Sequence, residues 1–217
     1  MKKSYLIFAA SLAALSQVSF AETENSSQMN LFVEGNIGAL YNHASGKYFC
    51  PNHMNKLNAS ADNAAIDFGA NLGLDINNRV DIYLGADYAK GAGHSYFDDE
   101  RGEEASDYYS YNFHIGALLF PFNPSSSMKG AFVGLELGTG LYQVETNRKI
   151  YLNEAWWGNL GVKLGHVWPV SERVNLGIEA YVDFHINPQG DDDSLIHARL
   201  KDMSTQTIGL NFIAIRR

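Results

Sequence analysis

The sequence predicts an all-β fold, an eight-stranded antiparallel up-and-down transmembrane β-barrel. Eight segments of the 217-residue chain alternate apolar and polar residues, as strands with two unlike faces do. The connections between these segments are short and long in turn, so all the long ones lie at one end of the sheet. Glycines collect on the polar face of the segments, and aromatic residues collect near the ends of the apolar face.

The N-terminal residues have the features of a secretory signal peptide. Two lysines precede an apolar run, and small residues occupy the positions that signal peptidase reads before Ala21. We therefore expect residues 1–21 to be a signal peptide and residues 22–217 to form one barrel domain. The formal net charge of −8 argues against nucleic acid as a partner. A single cysteine, Cys50, excludes an internal disulfide, and we expect no metal site and no cofactor.

The first four predicted strands cover residues 30–41, 64–76, 80–89 and 107–120. In the first (NLFVEGNIGALY), Leu31 and Val33 lie on one face and Glu34 lies on the other. The second and third strands continue this pattern, and the turn-forming residues NNR at 77–79 connect them. The fourth strand (DYYSYNFHIGALLF) is aromatic in its first half and aliphatic in its second.

The last four predicted strands cover residues 131–144, 154–168, 174–185 and 201–215. The fifth (AFVGLELGTGLYQV) and the sixth (EAWWGNLGVKLGHVW) carry aliphatic residues in the middle of one face, and several glycines lie on the other. The seventh (VNLGIEAYVDFH) alternates without a break from Val174 to His185. The eighth is clearest in its segment TQTIGLNFIAI.

The connections differ in length at the two ends of the predicted sheet. Short or turn-rich connections follow the even-numbered strands, at residues 77–79, 121–130 and 169–173. Longer polar connections follow the odd-numbered strands, at residues 42–63, 90–106, 145–153 and 186–200. The acidic stretches 90–107 and 187–194 belong to this second group. We interpret them as solvated surface, with the binding of divalent cations that bridge the loops to anionic lipopolysaccharide as the alternative.

The two faces indicate which side meets lipid. A soluble, lipocalin-like barrel would turn its apolar face inward, whereas a membrane barrel turns it outward. Glycine adds little to a solvent-facing strand but fits the crowded interior of a narrow barrel. Aromatic residues flank the aliphatic band as they do at membrane–water interfaces: Tyr41, Tyr88, Tyr109, Tyr111 and Trp156 near the long connections, and Trp168 near the short ones. We therefore predict lipid outside, with a soluble periplasmic ligand-binding barrel as the alternative.

This pattern resembles the eight-stranded outer-membrane barrels of Gram-negative bacteria, the OmpA/OmpX-like and opacity-type porin-like families. The resemblance implies a monomer in the outer membrane, in contact with the lipid bilayer and lipopolysaccharide, whose loops meet a host or cell-surface ligand. It also implies insertion by the outer-membrane barrel assembly machinery. The segment TIGLNFIA looks like the C-terminal signal that such barrels present to this machinery, and its matching positions are Thr207, Gly209, Phe212 and Ala214.

Charged residues on the polar face predict a network inside the lumen, because buried charges need partners. If Trp168 faces Val174 across the short turn, Lys163 lies directly opposite Glu179. Similar registers place Glu136 opposite Lys163 and His114 opposite Glu136. The predicted network of His114, Glu136, Lys163 and Glu179 closes the lumen, with an ion-admitting gate as the alternative. Asp75 and Asp81 are expected face to face, tolerated because the barrel mouth is wet.

The predicted function is non-enzymatic: a structural or surface-interaction barrel of the outer membrane. The alternative is an enzyme that modifies lipid A or phospholipid. His43-Ala44-Ser45 is the nearest approach to a nucleophile beside a base. We expect it in a loop, with no acid held beside it, so no catalytic residue is predicted.

Overall fold

The computed structural model describes residues 29–50, 55–97, 102–123, 125–146, 151–190 and 200–217. The predicted signal peptide at residues 1–21 lies outside this part of the chain. The described residues form eight strands: β1 (Met29–Cys50), β2 (Asn55–Ile76), β3 (Val80–Phe97), β4 (Gly102–Leu119), β5 (Ala131–Thr146), β6 (Tyr151–Pro169), β7 (Val174–Gly190) and β8 (Leu200–Arg216). No helix in the described residues is long and apolar enough to cross a membrane.

The sheet closes on itself. Each strand pairs antiparallel with the next, and β8 pairs with β1. Closure leaves no sheet edge with unpaired N–H and C=O groups, which hydrocarbon would penalise. A path along paired residues once around the barrel starts at Val33 and returns to β1 at His43, ten residues further on. This stagger tilts the strands by about 40° from the barrel axis.

The short turns agree with the sequence, but the long connections do not. Asn77 and Asn78 have φ values of 57° and 55°, which suit the two central positions of the β-turn that Arg79 closes by donating to the Ile76 carbonyl. At the other end, β1 and β2 stay paired as far as Cys50 and Asn55. The prediction of long loops is therefore wrong for much of residues 42–63, 90–106, 145–153 and 186–200. Above the apolar band both faces meet polar surroundings, so alternation stops although the backbone ladder continues.

An apolar band encircles the outside of the barrel. Leu84, Leu135 and Phe212 are typical of it, with 60–67% of their surface exposed. On β4 the band runs from Leu119 to Tyr109, a height of about 25 Å at this tilt. A continuous apolar belt of this height is stable in lipid and not in water. The soluble-barrel alternative is therefore wrong, and the predicted transmembrane β-barrel is confirmed.

The short-turn end of the lumen is apolar, which the sequence analysis did not predict. A cluster of inward-facing side chains fills it, here called the apolar plug: Phe32, Tyr83, Leu118, Phe120, Phe132, Val167, Ile213 and Ile215. The plug residues are 0–6% exposed. Local signals for them existed, since Phe212, Ile213, Ala214 and Ile215 form an unbroken apolar run in place of alternation.

Inward-facing glycines make room for large side chains in this narrow lumen. A Cβ atom added at Gly116 would overlap the ring of Tyr83, and one added at Gly209 would overlap the ring of Tyr181. The rings therefore lie flat across a neighbouring strand only because that strand has glycine there. This explains why the polar face is rich in glycine.

Candidate functional sites in the lumen and on the outer wall

Lys163 lies at the centre of a buried ion-pair cluster in the lumen. Its ammonium nitrogen is 2.8 Å from Glu136 Oε1 and 3.2 Å from Glu179 Oε1. The lysine side chain is 4% exposed, so both ion pairs are almost completely shielded from solvent. Three consecutive strands, β5, β6 and β7, supply the three residues.

His114 extends this cluster toward β3. Its Nε2 atom is 3.2 Å from Glu136 Oε1, and its Nδ1 atom is 3.1 Å from Asp87 Oδ2. The hydroxyl of Tyr83 donates to Glu136 at 2.8 Å, and the Lys163 ammonium lies 5.8 Å from the centre of the Tyr83 ring. The four residues named from the sequence therefore form a continuous series of ion pairs, which runs from His114 to Glu136, Lys163 and Glu179. Asp87 and Tyr83 extend this series.

The three registers behind that expectation are nevertheless wrong, each by two residues. Lys163 pairs with Tyr181, Glu136 pairs with Gly161, and His114 pairs with Gly138. Across the β6–β7 turn, Trp168 pairs with Leu176 and not with Val174.

A shift of two residues leaves every side chain on the same face, so the alternation contains no information about it. In a sheared barrel, moreover, side chains at equal height are displaced along the strand from their hydrogen-bonded partners. Lumenal contacts therefore run diagonally between strands, and Lys163 reaches Glu136 and Glu179 along two such diagonals.

More acids face the lumen than the predicted network contains. Asn71 donates to Glu34 at 2.7 Å, and Tyr181 donates to Asp67 at 2.9 Å. Asp183 is also buried. A cavity of about 40 Å³ is lined by Asp67, Tyr181 and Asp183 among others, and it is large enough for one or two water molecules and too small for an organic substrate.

Arg217 closes the short-turn mouth below the plug. Its two terminal nitrogens each lie 2.6 Å from a carboxylate, one on Asp75 and one on Asp81. These two acids pair directly across β2 and β3, as predicted. The expectation that water makes their proximity tolerable is wrong, because both are 0% exposed, and the guanidinium group that bonds to each of them offsets part of their charge. The Arg217 guanidinium also lies 5.2 Å from the ring centre of Phe120.

The predicted interface aromatics occupy the outer wall where their side chains are described. Tyr41 and Tyr111 are each 49% exposed at the upper edge of the apolar band, and Trp168 is 47% exposed at its lower edge. Tyr88 stacks against Tyr111 with ring centres 5.0 Å apart. Tyr109 lies beneath the Lys90 ammonium, 5.1 Å from the ring centre. Trp156 lies in β6, and its side chain is outside the described part.

The predicted assembly-signal residues divide between the two faces of β8. Thr207 and Gly209 face the lumen and are buried, and Thr207 accepts a hydrogen bond of 3.0 Å from Asn42. Phe212 and Ala214 face outward, with Phe212 67% exposed. Two outward apolar positions at the end of the last strand are therefore available to a partner.

A hydrogen-bonded cluster lies on the outer wall just above the apolar band. Asp62 Oδ1 accepts the Tyr41 hydroxyl at 2.5 Å and lies 2.7 Å from His43 Nδ1. The hydrogen bonds from Tyr41 and His43 lower the pKa of the Asp62 carboxyl. Two expectations are wrong here. His43 and Ser45 lie in β1 and not in a loop, and an acid, Asp62, does lie beside the histidine. Strand alternation alone could not reveal this acid, because the predicted second strand starts two residues after it.

Solved structures of similar fold are surface and outer-membrane proteins. The structure of Neisserial surface protein A is 15% identical to the chain, with a TM-score of 0.50 over 87% of this chain and 98% of that one. OprG from Pseudomonas aeruginosa is 11% identical, with a TM-score of 0.49 over 84% and 93%. OmpT, the outer membrane protease from Escherichia coli, is 8% identical, with a TM-score of 0.42 over 86% and 96%. No protein-family model and no curated protein matches the chain.

At such identities the likeness to Neisserial surface protein A concerns the fold. It agrees with the closed eight-stranded sheet and the outward apolar band. The outer-membrane β-barrel fold predicted from the sequence is thereby confirmed.

Proposed function

We propose that this chain, which has the fold of the eight-stranded outer-membrane barrels, is an integral protein of the Gram-negative outer membrane with a structural lumen that neither conducts nor catalyses. The observation that carries this proposal is the position of Lys163, bonded to both Glu136 and Glu179 and 4% exposed. A narrow barrel of eight strands has room for little beyond its own side chains. A cross-strand ion pair at its centre therefore fills the cross-section.

The layers below Lys163 support the same proposal. The apolar plug is 0–6% exposed, and beneath it lie the ion pairs of Arg217 with Asp75 and Asp81, here called the Arg217 clamp. An ion that passed Lys163 would next have to cross a dry apolar layer, at a high desolvation cost. The ion-admitting gate considered from the sequence would require both layers to open together.

The outer wall and the long-strand end carry the interactions of the protein in this proposal. The exposed aromatics Tyr41, Tyr111 and Trp168 anchor the barrel at the two interfaces of the bilayer. The acidic segments near the long-strand end contact anionic lipopolysaccharide through bridging divalent cations, and the loops contact surface ligands. The short turns and both termini lie in the periplasm, and the outward Phe212 and Ala214 present the last strand to the assembly machinery. The barrel acts as a monomer, because closure leaves no strand edge free for pairing.

Conductance and fractionation test this proposal together. The purified chain in planar bilayers should give no resolved conductance steps, whereas Lys163→Ala combined with Phe132→Ala and Ile215→Ala should open the ion-pair layer and the plug together and give conductance. Lys163→Ala combined with Phe113→Ala and Ile115→Ala, which makes the same reductions on the lipid face and leaves the plug intact, is the matched control and should stay silent. Steady conductance of the unmodified barrel would overturn the closed lumen. Recovery in the soluble periplasmic fraction, without a heat-dependent shift in gel mobility, would overturn the membrane location.

A further inference from the structure

The short-turn end of the barrel is basic, although the chain as a whole has a net charge of −8. The described residues at this end contain five basic side chains and one acidic one, Glu172; they are residues 77–79, 120–123, 125–130, 169–174 and 216–217. Arg217 bonds to two buried acids, which leaves four basic side chains: Arg79, Lys129, Arg173 and Arg216. The segment 90–107, at the long-strand end, instead holds six acids against two bases. The two ends of the barrel therefore carry charges of opposite sign.

Three of these basic residues lie along one side of the short-turn rim, here called the basic arc: Lys129, Arg173 and Arg216. The backbone N–H of Val167 donates to the Gly130 carbonyl at 2.9 Å, which holds Lys129 beside the end of β6. The backbone N–H of Arg217 donates to the Arg173 carbonyl at 3.0 Å, which joins the β6–β7 turn to the end of β8. The side chains of Lys129 and Arg173 are exposed. The arc therefore extends without a gap from the start of β5 to the end of β8.

The basic arc borders directly on the lipid-facing band. Trp168, at the end of β6, is 47% exposed, and its ring centre lies 4.5 Å from that of His166. Arg216 occupies an outward position of β8, where it pairs with Val33 and Val174 on the two neighbouring strands. A long arginine side chain lies along apolar neighbours of this kind while its guanidinium group extends to the level of the head groups. The arc therefore places cations immediately below an apolar wall.

This arrangement fits the phosphate of an anionic phospholipid. Arginine and lysine supply charged N–H donors, and phosphate oxygens are their strongest acceptors. Each basic residue near an anionic membrane surface contributes about fivefold in affinity. The acyl chains of a phospholipid would also cover Trp168 and the apolar wall above it, whereas a soluble acidic partner would bring nothing to cover them. The continuity of the arc with the lipid-facing band thus favours a lipid over a soluble partner.

We propose that the basic arc of Lys129, Arg173 and Arg216 binds the phosphate group of an anionic phospholipid in the periplasmic leaflet of the membrane. The proposal rests on the proposed function, which puts the barrel in the outer membrane with its short turns in the periplasm. It gives the barrel a lipid preference at one end only, because the acidic stretches at the other end repel the same head group.

Quenching of Trp168 fluorescence by brominated lipids measures which lipid lies at the arc. In the full chain carrying Trp156→Phe and Trp157→Phe, Trp168 is the remaining tryptophan of three. This barrel is folded into phosphatidylcholine vesicles that contain brominated phosphatidylglycerol or, in a parallel series, brominated phosphatidylcholine. At about 0.1 M salt we expect phosphatidylglycerol to bind beside Trp168 about tenfold or more in preference to phosphatidylcholine. At about 1 M salt, where charges are screened beyond about 3 Å, this preference should disappear.

Lys129→Gln combined with Arg173→Gln removes two cations of the arc and should lower the preference by about fivefold or more. Arg79→Gln combined with Lys90→Gln is the matched control, because it removes the same two residue types elsewhere. Arg79 lies on the β2–β3 turn across the ring of strands, and Lys90 lies on β3 near the long-strand end. Both are separated from Trp168 by more than the screening length of about 10 Å, so the control should keep the preference within about twofold.

The outcomes separate this proposal from the proposed function. Equal binding of the two lipids beside Trp168, in a barrel that shows heat-dependent gel mobility, would overturn the lipid site and favour a soluble acidic partner, while the membrane location would stand. An unchanged preference in the Lys129→Gln and Arg173→Gln barrel would also overturn the lipid site. If neither lipid quenches Trp168 and the heat-dependent mobility is absent, the membrane location and the lipid site are both wrong.

Discussion

Replacement of Lys163 by methionine tests the energetic role of the lumenal cluster. The substitution keeps most of the volume of the side chain and removes its charge. It leaves Glu136 and Glu179, 3% and 1% exposed, without their shared cation. Removing one partner of a buried ion pair costs about 3–5 kcal/mol, because the remaining charge stays desolvated. We expect a loss of this size in the free energy of unfolding.

The loss of the Lys163 charge should destabilise the barrel more through Glu179 than through Glu136. Glu136 keeps the Tyr83 hydroxyl at 2.8 Å and His114 at 3.2 Å. Among the described residues, Glu179 keeps one hydrogen bond, of 3.4 Å from Asn211, and its second carboxylate oxygen has no hydrogen-bond partner. Adding Glu179→Gln to Lys163→Met should therefore recover more stability than adding Glu136→Gln.

Urea-dependent unfolding in lipid vesicles measures these differences, followed by tryptophan fluorescence and by heat-dependent gel mobility. Lys90→Met is the matched control, because Lys90 is exposed on the outer wall and contacts only the Tyr109 ring among the interactions described. It should cost no more than about 1 kcal/mol. If Lys163→Met unfolds at the same urea concentration as the unmodified barrel, the lumenal ion pairs contribute nothing and the reasoning fails.

Three further substitutions test other layers of the barrel. Arg217→Ala should destabilise it by about 3–5 kcal/mol by exposing two buried acids to each other, and adding Asp81→Asn should restore part of this in urea titrations. Gly116→Ala should cost about 1–3 kcal/mol by displacing the Tyr83 ring, and a normal refolding yield and midpoint would contradict the tight lumenal packing. Leu135→Arg, at mid-height of the lipid-facing band, should cost about 2–4 kcal/mol in vesicles, and an unchanged stability would mean that this face does not meet hydrocarbon.

Several lumenal and outer-wall contacts could not be predicted from the sequence, for a common reason. The Arg217 clamp joins residues 142 positions apart, and the Tyr181–Asp67 hydrogen bond joins residues 114 apart. Such pairs meet only once the barrel has closed. The Asp62 partner of His43 is nearer in sequence, but it depends on β1 and β2 continuing above the lipid band. No apolar pattern marks that continuation.

The sequence by itself determined the number of strands, the face that meets lipid and the end that carries short turns. Side chains alternate along a strand with a period of two, and lipid requires an apolar face, so the pattern of residue types along the chain indicates these properties. Only the tertiary structure decided the register, the shear of ten residues and hence which lumenal charges meet. A slip of two residues preserves both faces, and only the closing of β8 onto β1 selects one register among those that the pattern allows.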